Sequence, residues 1–264
     1  MKGEAYWDES AYYAFTLAQI EQDLEEPSRE LHALCLELVS RAVRDEALLA
    51  RLAIPENAWD AVRASWDRRQ SSLYGRFDFA YNGGGPAKLL EYNADTPTAL
   101  YETGVFQWLW LEELIGRGEL PADADQFNSL HDKLVARLAT IAGGRRLHLT
   151  CMAGEAEDRG TILYIEDCAR QGGLETRFAP IEQIGFAEQA GFLDQAQEPI
   201  DLLFKLYPWE WMFREQFGAH LDGSATQFVE PPWKAILSNK GILPLLWEMA
   251  PNHPNLLPAY FEDD

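Results

Sequence analysis

Apolar residues recur at three-to-four spacing through the first quarter of the chain. Leu17, Ile20 and Leu24, then Leu31, Leu34, Cys35, Leu38 and Val39, predict helices over residues 10–70, broken at Pro27. A second break at Ile54-Pro55-Glu56-Asn57 precedes a short helix carrying Trp59, Val62 and Trp66. The period then switches to two on either side of Gly83-Gly84-Gly85-Pro86, which predicts a β-hairpin between Tyr74 and Tyr101. From Thr98 to Ile115 the apolar density (Val105, Phe106, Trp108, Leu109, Trp110, Leu111, Leu114) predicts a buried helix ended by Gly116 and Gly118. Its Trp108-Leu109-Trp110 run reads as core rather than as a ligand platform.

Beyond a helix near 128–141 the pattern alternates. Leu147–Cys151 reads as a buried strand, 158–171 as an amphipathic helix closed by Gly172-Gly173, and 175–179 and 202–207 as further strands. These predict an α/β (α+β) protein with three parts: a first domain at 1–143, a small open α/β subdomain at 144–228, and a return to the first domain at 229–264. The subdomain has neither a GxGxxG fingerprint nor a Walker glycine-lysine loop, so a Rossmann dinucleotide site is not supported.

The hairpin carries the chemistry. With Gly83–Pro86 as the turn, Asn82 faces Ala87, Asp78 faces Glu91 and Arg76 faces Asn93. That register gathers Arg76, Asp78, Glu91 and Asn93 on one face. Phe77, Phe79, Tyr81, Leu90 and Tyr92 fall on the other, with Lys88. Two carboxylates and a carboxamide are hard oxygen ligands of the kind that hold Mg²⁺ together with waters and nucleotide phosphates. A neighbouring arginine can neutralise a phosphoryl group, and Thr96 and Thr98 offer hydroxyls just beyond. The same residues equally describe a salt-bridged hairpin in which Arg76 neutralises Asp78 and Glu91. A glycosidase acid/base pair is a poorer reading, because carboxylates flanked by Arg and Asn stay ionised.

Composition narrows the partners. The 264 residues are 47% hydrophobic and 25% charged, which suits a folded globular chain. With 43 acidic against 22 basic residues the net charge is −21, which argues against a nucleic-acid or anionic-membrane surface. A cationic substrate such as a polyamine is compatible with that balance. The opening MKGEAYWDES lacks a signal-peptide pattern, and no window is apolar enough for a membrane span, so a cytoplasmic protein is expected. Cys35, Cys151 and Cys168 read as small core residues, and His148 as a satisfied core histidine. His32, His131, His220 and His253 have no metal-ligand spacing.

GRFDF, followed by KLLEYNADTPTALYE and FQWLWLEE, resembles the synthetase domain of glutathionylspermidine synthases and their shorter bacterial relatives. Matches at Glu157–Thr161, Lys205–Glu210 and Ser238–Lys240 extend the likeness over nearly the whole chain. The resemblance implies an ATP-grasp fold with a pre-ATP-grasp subdomain, and an ATP- and Mg-dependent acid–amine (C–N) ligase. Such a ligase acts through an acyl phosphate on a peptide-like, glutathione-like carboxylate and an amine or polyamine. It further implies that Arg76 contacts nucleotide phosphate and stabilises the transition state, with Phe77, Asp78 and Lys240 also at the ATP site. Asp78, Glu91 and Asn93 would ligate two Mg²⁺ ions, Glu91 bridging. Thr96 and Thr98 would contact the acid substrate, and Glu157 and Asp158 the polyamine and glutathione. Leu206 stands where glutathione-specific members carry a threonine, so the substrate can differ. The family pattern continues beyond Asp264 with a further lysine and a glycine-rich phosphate-covering loop, and an amidase domain precedes some members; the expectation is either a fragment of a longer protein or a truncated chain with incomplete catalytic equipment. The alternative expectation is a non-catalytic binding or regulatory module lacking part of the ATP site.

Overall fold

The computed structural model describes residue 9 and residues 11–262; the rest of MKGEAYWDES and Asp263-Asp264 lie outside it. The first helical pattern folds as a π turn, Gln19–Glu25, running directly into α1, Glu26–Ala42. The expected break at Pro27 does not occur. Pro27 occupies the first turn of α1, directly after the π turn, where the Glu26 N–H reaches back five residues to the Glu21 carbonyl. Helix α1 buries Leu31, Cys35, Leu38, Val39 and Ala42 along one stripe. Asp45 opens α2, Glu46–Arg51, by accepting the N–H groups of Ala47 and Leu48. Helix α3, Trp59–Asp67, follows.

The hairpin consists of β1, Arg76–Ala80, and β2, Lys88–Asn93, which form a two-stranded antiparallel sheet. A second π turn, Glu102–Phe106, leads into α4, Gln107–Arg117. Then come α5 (Leu130–Ala142), β3 (Leu147–Cys151), α6 (Ala156–Gln171) and β4 (Thr176–Phe178). A small ribbon, β5 (Gly185–Ala187) with β6 (Gly191–Leu193), precedes β7 (Leu202–Leu206) and α7 (Trp209–Met212). The chain closes with β8 (Gln227–Val229), α8 (Lys234–Leu237) and α9 (Ile242–Met249).

Strands β4-β3-β7-β8 form one parallel sheet, so the class is mixed α/β as expected. Strands β3 and β7 are buried at every position, and apart from His148, Thr150 and Lys205 they are apolar. The three-residue β8 escaped the sequence reading. Alternation along the sheet serves two cores. Leu203 and Phe228 join a core built from α1, α2, α3, the apolar face of the hairpin, α8 and α9. Leu202, Phe204 and Val229 point to the other face, against α5 and α6.

Helix α4 departs from expectation. Trp108 is 41% exposed and Leu109 51%, and only Leu111 of the helix is buried. Apolar density signals burial, but a folded surface also carries much apolar area, and α4 lies on the outside. The stripe that begins the first helix also stays out of the core, with Leu17 68% exposed. The three cysteines are buried and free as expected, and burial pushes the Cys35 thiol up to about 12. His148 is buried but not satisfied: its Nε2 lies 3.4 Å from Asp194 Oδ2, and neither ring nitrogen makes an aligned hydrogen bond. Desolvation keeps its pKa below the usual value, against the pull of Asp194. No helix among the described residues is long and apolar enough to cross a membrane.

Candidate active site

The pairing Arg76↔Asn93, Phe77↔Tyr92 and Asp78↔Glu91 matches the register read from alternation, and it puts the four polar residues on one face. The rest of the register is corrected. A bulge after Asp78 pairs Phe79 with Leu89 and Ala80 with Lys88, so the ladder ends before Asn82 and Ala87. The extra residue is Leu90, which is 44% exposed, while Leu89 takes the buried position. The C-terminal segment holds this irregular strand in place. The Leu89 N–H donates to Asn255 O at 2.8 Å, and Asn255 Nδ2 to Ala87 O at 2.8 Å.

On the polar face Arg76 forks onto Asp78, with Nε–Oδ1 2.7 Å and Nη2–Oδ2 3.1 Å. Its Nη1 donates to both the carbonyl and the hydroxyl of Thr98, each at 3.0 Å. The hydrogen bond to Asp78 raises the Arg76 pKa, so the guanidinium is permanently charged. Asn93 Nδ2 donates to Asp78 Oδ2 at 3.2 Å. Lys240, distant in sequence, brings Nζ to 3.3 Å from Glu91 Oε1. The ionic hairpin is thus partly realised, but Arg76 neutralises Asp78 alone and Lys240 takes Glu91. Phe77 turns away into the core, 4.2 Å between ring centroids from Tyr92, so only its backbone is available to this face. Among the described residues no group of three His, Cys, Asp or Glu could hold a metal. The two carboxylates and Asn93 supply an incomplete oxygen set, which suits an ion finishing its shell with phosphate and water.

A cavity of about 230 Å³ opens beside Asn93 and Thr96, walled by Ser238, Asn239, Glu210 and Arg214. Thr96 therefore faces this cavity, whereas Thr98 faces Arg76. Glu157 and Asp158 stand in the first turn of α6. Desolvation, and then repulsion from Glu155 and Glu157, raises the Asp158 pKa. Asp158 also contributes to the field that, after burial, Glu230 and Asp95, pushes the Tyr74 phenol up. That phenol donates to Pro97 O at 3.3 Å, inside the Thr96–Thr98 loop, which ties α6 electrostatically to the hairpin. Leu206 is buried in the core between sheet and α5/α6.

Sequence reasoning missed the buried charges beneath this face. Lys205 Nζ donates to Asp95 Oδ1 at 2.5 Å, and the Trp209 N–H to Asp95 Oδ2 at 2.7 Å. Glu230 accepts the N–H groups of Leu73 and Tyr74 and pairs with Lys234 at 3.1 Å. Lys234 in turn donates to Tyr74 O at 2.6 Å. These bonds fix the backbone on both sides of the hairpin, at Leu73-Tyr74 and at Asp95. A signal existed: a lone lysine inside the apolar strand LLFKL demands a buried acid.

Gly75 precedes Arg76 at a close approach. A Cβ there would lie 2.7 Å from Tyr92 Cε2 and 3.3 Å from Asn93 O, and Tyr92 is itself packed on Phe77. Gly75→Ala is expected to cost about 1–3 kcal/mol in urea unfolding, by displacing the aromatic floor of the hairpin.

The whole chain, residues 1–264, matches the family model described as glutathionylspermidine synthase pre-ATP-grasp. It is 40% identical over 265 residues to a putative acid–amine ligase of Haemophilus influenzae, covering 98% of this chain and 65% of that protein. It is 30% identical over 257 residues to trypanothione synthetase of Crithidia fasciculata, covering 88% and 39%. With a bifunctional glutathionylspermidine synthetase/amidase of Escherichia coli the identity is 27%, covering 96% and 44%. The chain therefore spans less than two thirds of the length of these curated relatives. In fold it is similar to a glutathione synthetase-like effector of Globodera pallida, at TM-score 0.54 and 14% identity over 90% of this chain and 61% of the other. A match along its entire length makes this chain a member of the glutathionylspermidine synthase family, in its pre-ATP-grasp portion.

Proposed function

We propose that the polar face of the hairpin is the phosphoryl-handling part of an ATP- and Mg-dependent acid–amine ligase. The observation that carries this reading is the convergence of Arg76, Asp78, Glu91, Asn93 and the remote Lys240 on one face. Asp78, Glu91 and Asn93 are the residues that would hold Mg²⁺, which when bound supplies positive charge against the nucleotide phosphates. In the reaction, the carboxylate of the acid substrate attacks the terminal phosphorus of ATP and ADP leaves. The amine then attacks the acyl carbon, loses a proton, and releases phosphate. Arg76 releases Asp78 to meet the transferring phosphoryl group, and Thr98, already bonded to it, keeps the guanidinium in place. Lys240 exchanges Glu91 for phosphate oxygen in the same way. Thr96, in its cavity, positions the acid substrate. The acidic trio Glu155, Glu157 and Asp158 favours a cationic amine, which relieves its mutual repulsion.

The closed Arg76–Asp78 fork favours a second reading, a binding module in which the hairpin is locked by its own ion pair. ADP release by the full-length gene product separates the two. The ligase releases ADP only when MgATP, a carboxylate such as glutathione and an amine such as spermidine are all present. No combination from a panel of carboxylates and polyamines does so for the module.

A further inference from the structure

On the side of the protein reached by the apolar face of the hairpin, the segment Arg68-Arg69-Gln70-Ser71-Ser72 runs between two open grooves. One, of about 660 Å³, is bordered by the part-exposed Trp66 and His32, with the buried Trp233 packed edge-on behind Trp66, and has Arg69 and Arg137 as its cations. The other, of about 380 Å³, adds Arg68 and Arg145. None of these four arginines has a carboxylate partner among the described residues. Arg137 donates only to Ser72 O, at 3.0 and 3.1 Å, and Arg145 only to two backbone carbonyls and Gln227. Asp67 borders the larger groove, but Arg44 holds its carboxylate in a fork. In a chain with 43 acidic and 22 basic residues, four cations left without acids in one place are against expectation.

Two further features point inward. Arg69 sits at φ 51, in the left-handed region, where it caps α3: its N–H donates to Trp66 O and the Gln70 N–H to Ser65 O. Glycine suits that position, so an arginine there is retained at a conformational cost. The Oε1 of Gln70, between the grooves, is buried and accepts no hydrogen bond. An occupant would thus carry an anion for the arginines, a flat apolar part for the open side of Trp66 and a donor for Gln70.

We propose that the groove bounded by Trp66, Arg69, Gln70 and Arg137 binds a small heterocyclic phosphate, of the nucleoside monophosphate class, at a site separate from the polar face of the hairpin. Its guanidinium pair takes the phosphate, the part-exposed Trp66 ring beside His32 takes the base, and Gln70 takes a hydroxyl or amine proton. The site does not depend on the ligase reading.

Adenosine monophosphate and inorganic phosphate are the probes, titrated calorimetrically at low salt into the full-length protein and three variants. Saturable binding of the nucleotide, and weaker binding of phosphate that competes with it, is expected. Arg69→Gly removes the cation and the backbone strain together, so the fold survives with an unchanged or higher melting temperature while affinity falls about tenfold or more. Arg137→Met behaves likewise in binding, and Asp78→Asn leaves the affinity unchanged. Absence of saturable nucleotide binding up to millimolar concentration, or binding untouched by Arg69→Gly, or binding lost in Asp78→Asn, overturns the proposal.

Discussion

Lys205→Met is expected to destabilise the protein by about 3–5 kcal/mol, enough to leave little of it folded at physiological temperature. Lys205 is fully buried in β7, with its ammonium between Asp95 Oδ1 at 2.5 Å, Tyr207 O at 2.9 Å and the Trp209 ring at 4.3 Å. Burial lowers its pKa, and the charge of the adjacent Asp95 opposes that. Methionine matches the stem of the lysine in volume, so the loss measures charge rather than packing. What remains is a buried Asp95 carboxylate with one N–H donor, from Trp209. An uncompensated buried charge is far more costly than the pair it came from. The double variant Lys205→Met with Asp95→Leu therefore recovers much of the lost stability, because neither charge is left alone. Urea unfolding of wild type, both single variants and the double gives the coupling energy. Additive losses would mean that the pair is not coupled.

The network also explains which parts of this protein could be read from its sequence. Period-two alternation sufficed for Arg76, Asp78, Glu91 and Asn93, because a one-residue slip would have buried charges and exposed Phe77 and Tyr92. Strands β3 and β7 and helix α6 were legible for a similar reason, since short, mostly apolar runs alternating with an amphipathic helix leave few other arrangements. The bulge at Leu90 was not legible. It depends on Asn255, some 165 residues further on, which satisfies the backbone that the bulge leaves unpaired. The contact of Lys240 with Glu91 and the burial of Lys205 and Lys234 are equally long-range. A lysine flanked by apolar residues announces that a partner is needed, yet not that the partner of Lys205 is Asp95, whereas Glu230, four residues before Lys234, was within reach of local spacing. Helix α4 failed in the opposite sense. Its composition asked for burial, but composition does not say whether a neighbour exists to cover Trp108 and Leu109.

Glu91→Gln is expected to reduce ADP release by about 10²–10³-fold while leaving the fold intact. Its carboxylate is partly exposed and has Lys240 as its ionic partner, an interaction of the kind worth at most about 1 kcal/mol. Any large effect of the change must therefore come from the reaction and not from stability. Glutamine preserves the shape and one oxygen, and removes only the charge that an Mg²⁺ ion would require. Arg76→Lys extends the test. Lysine keeps the positive charge but cannot bind Asp78 through two parallel bonds while also reaching Thr98, so it is expected to lose turnover of similar magnitude. The ion-pair-locked hairpin predicts another pattern: Arg76→Lys lowers the melting temperature, Glu91→Gln is silent, and neither changes the response to MgATP. Melting temperature with and without MgATP, set beside ADP release for the two variants, gives a four-way comparison in which the two readings share no outcome. A loss of turnover with unchanged melting places the chemistry on this face, because the residues then matter to the reaction and not to the fold that presents them.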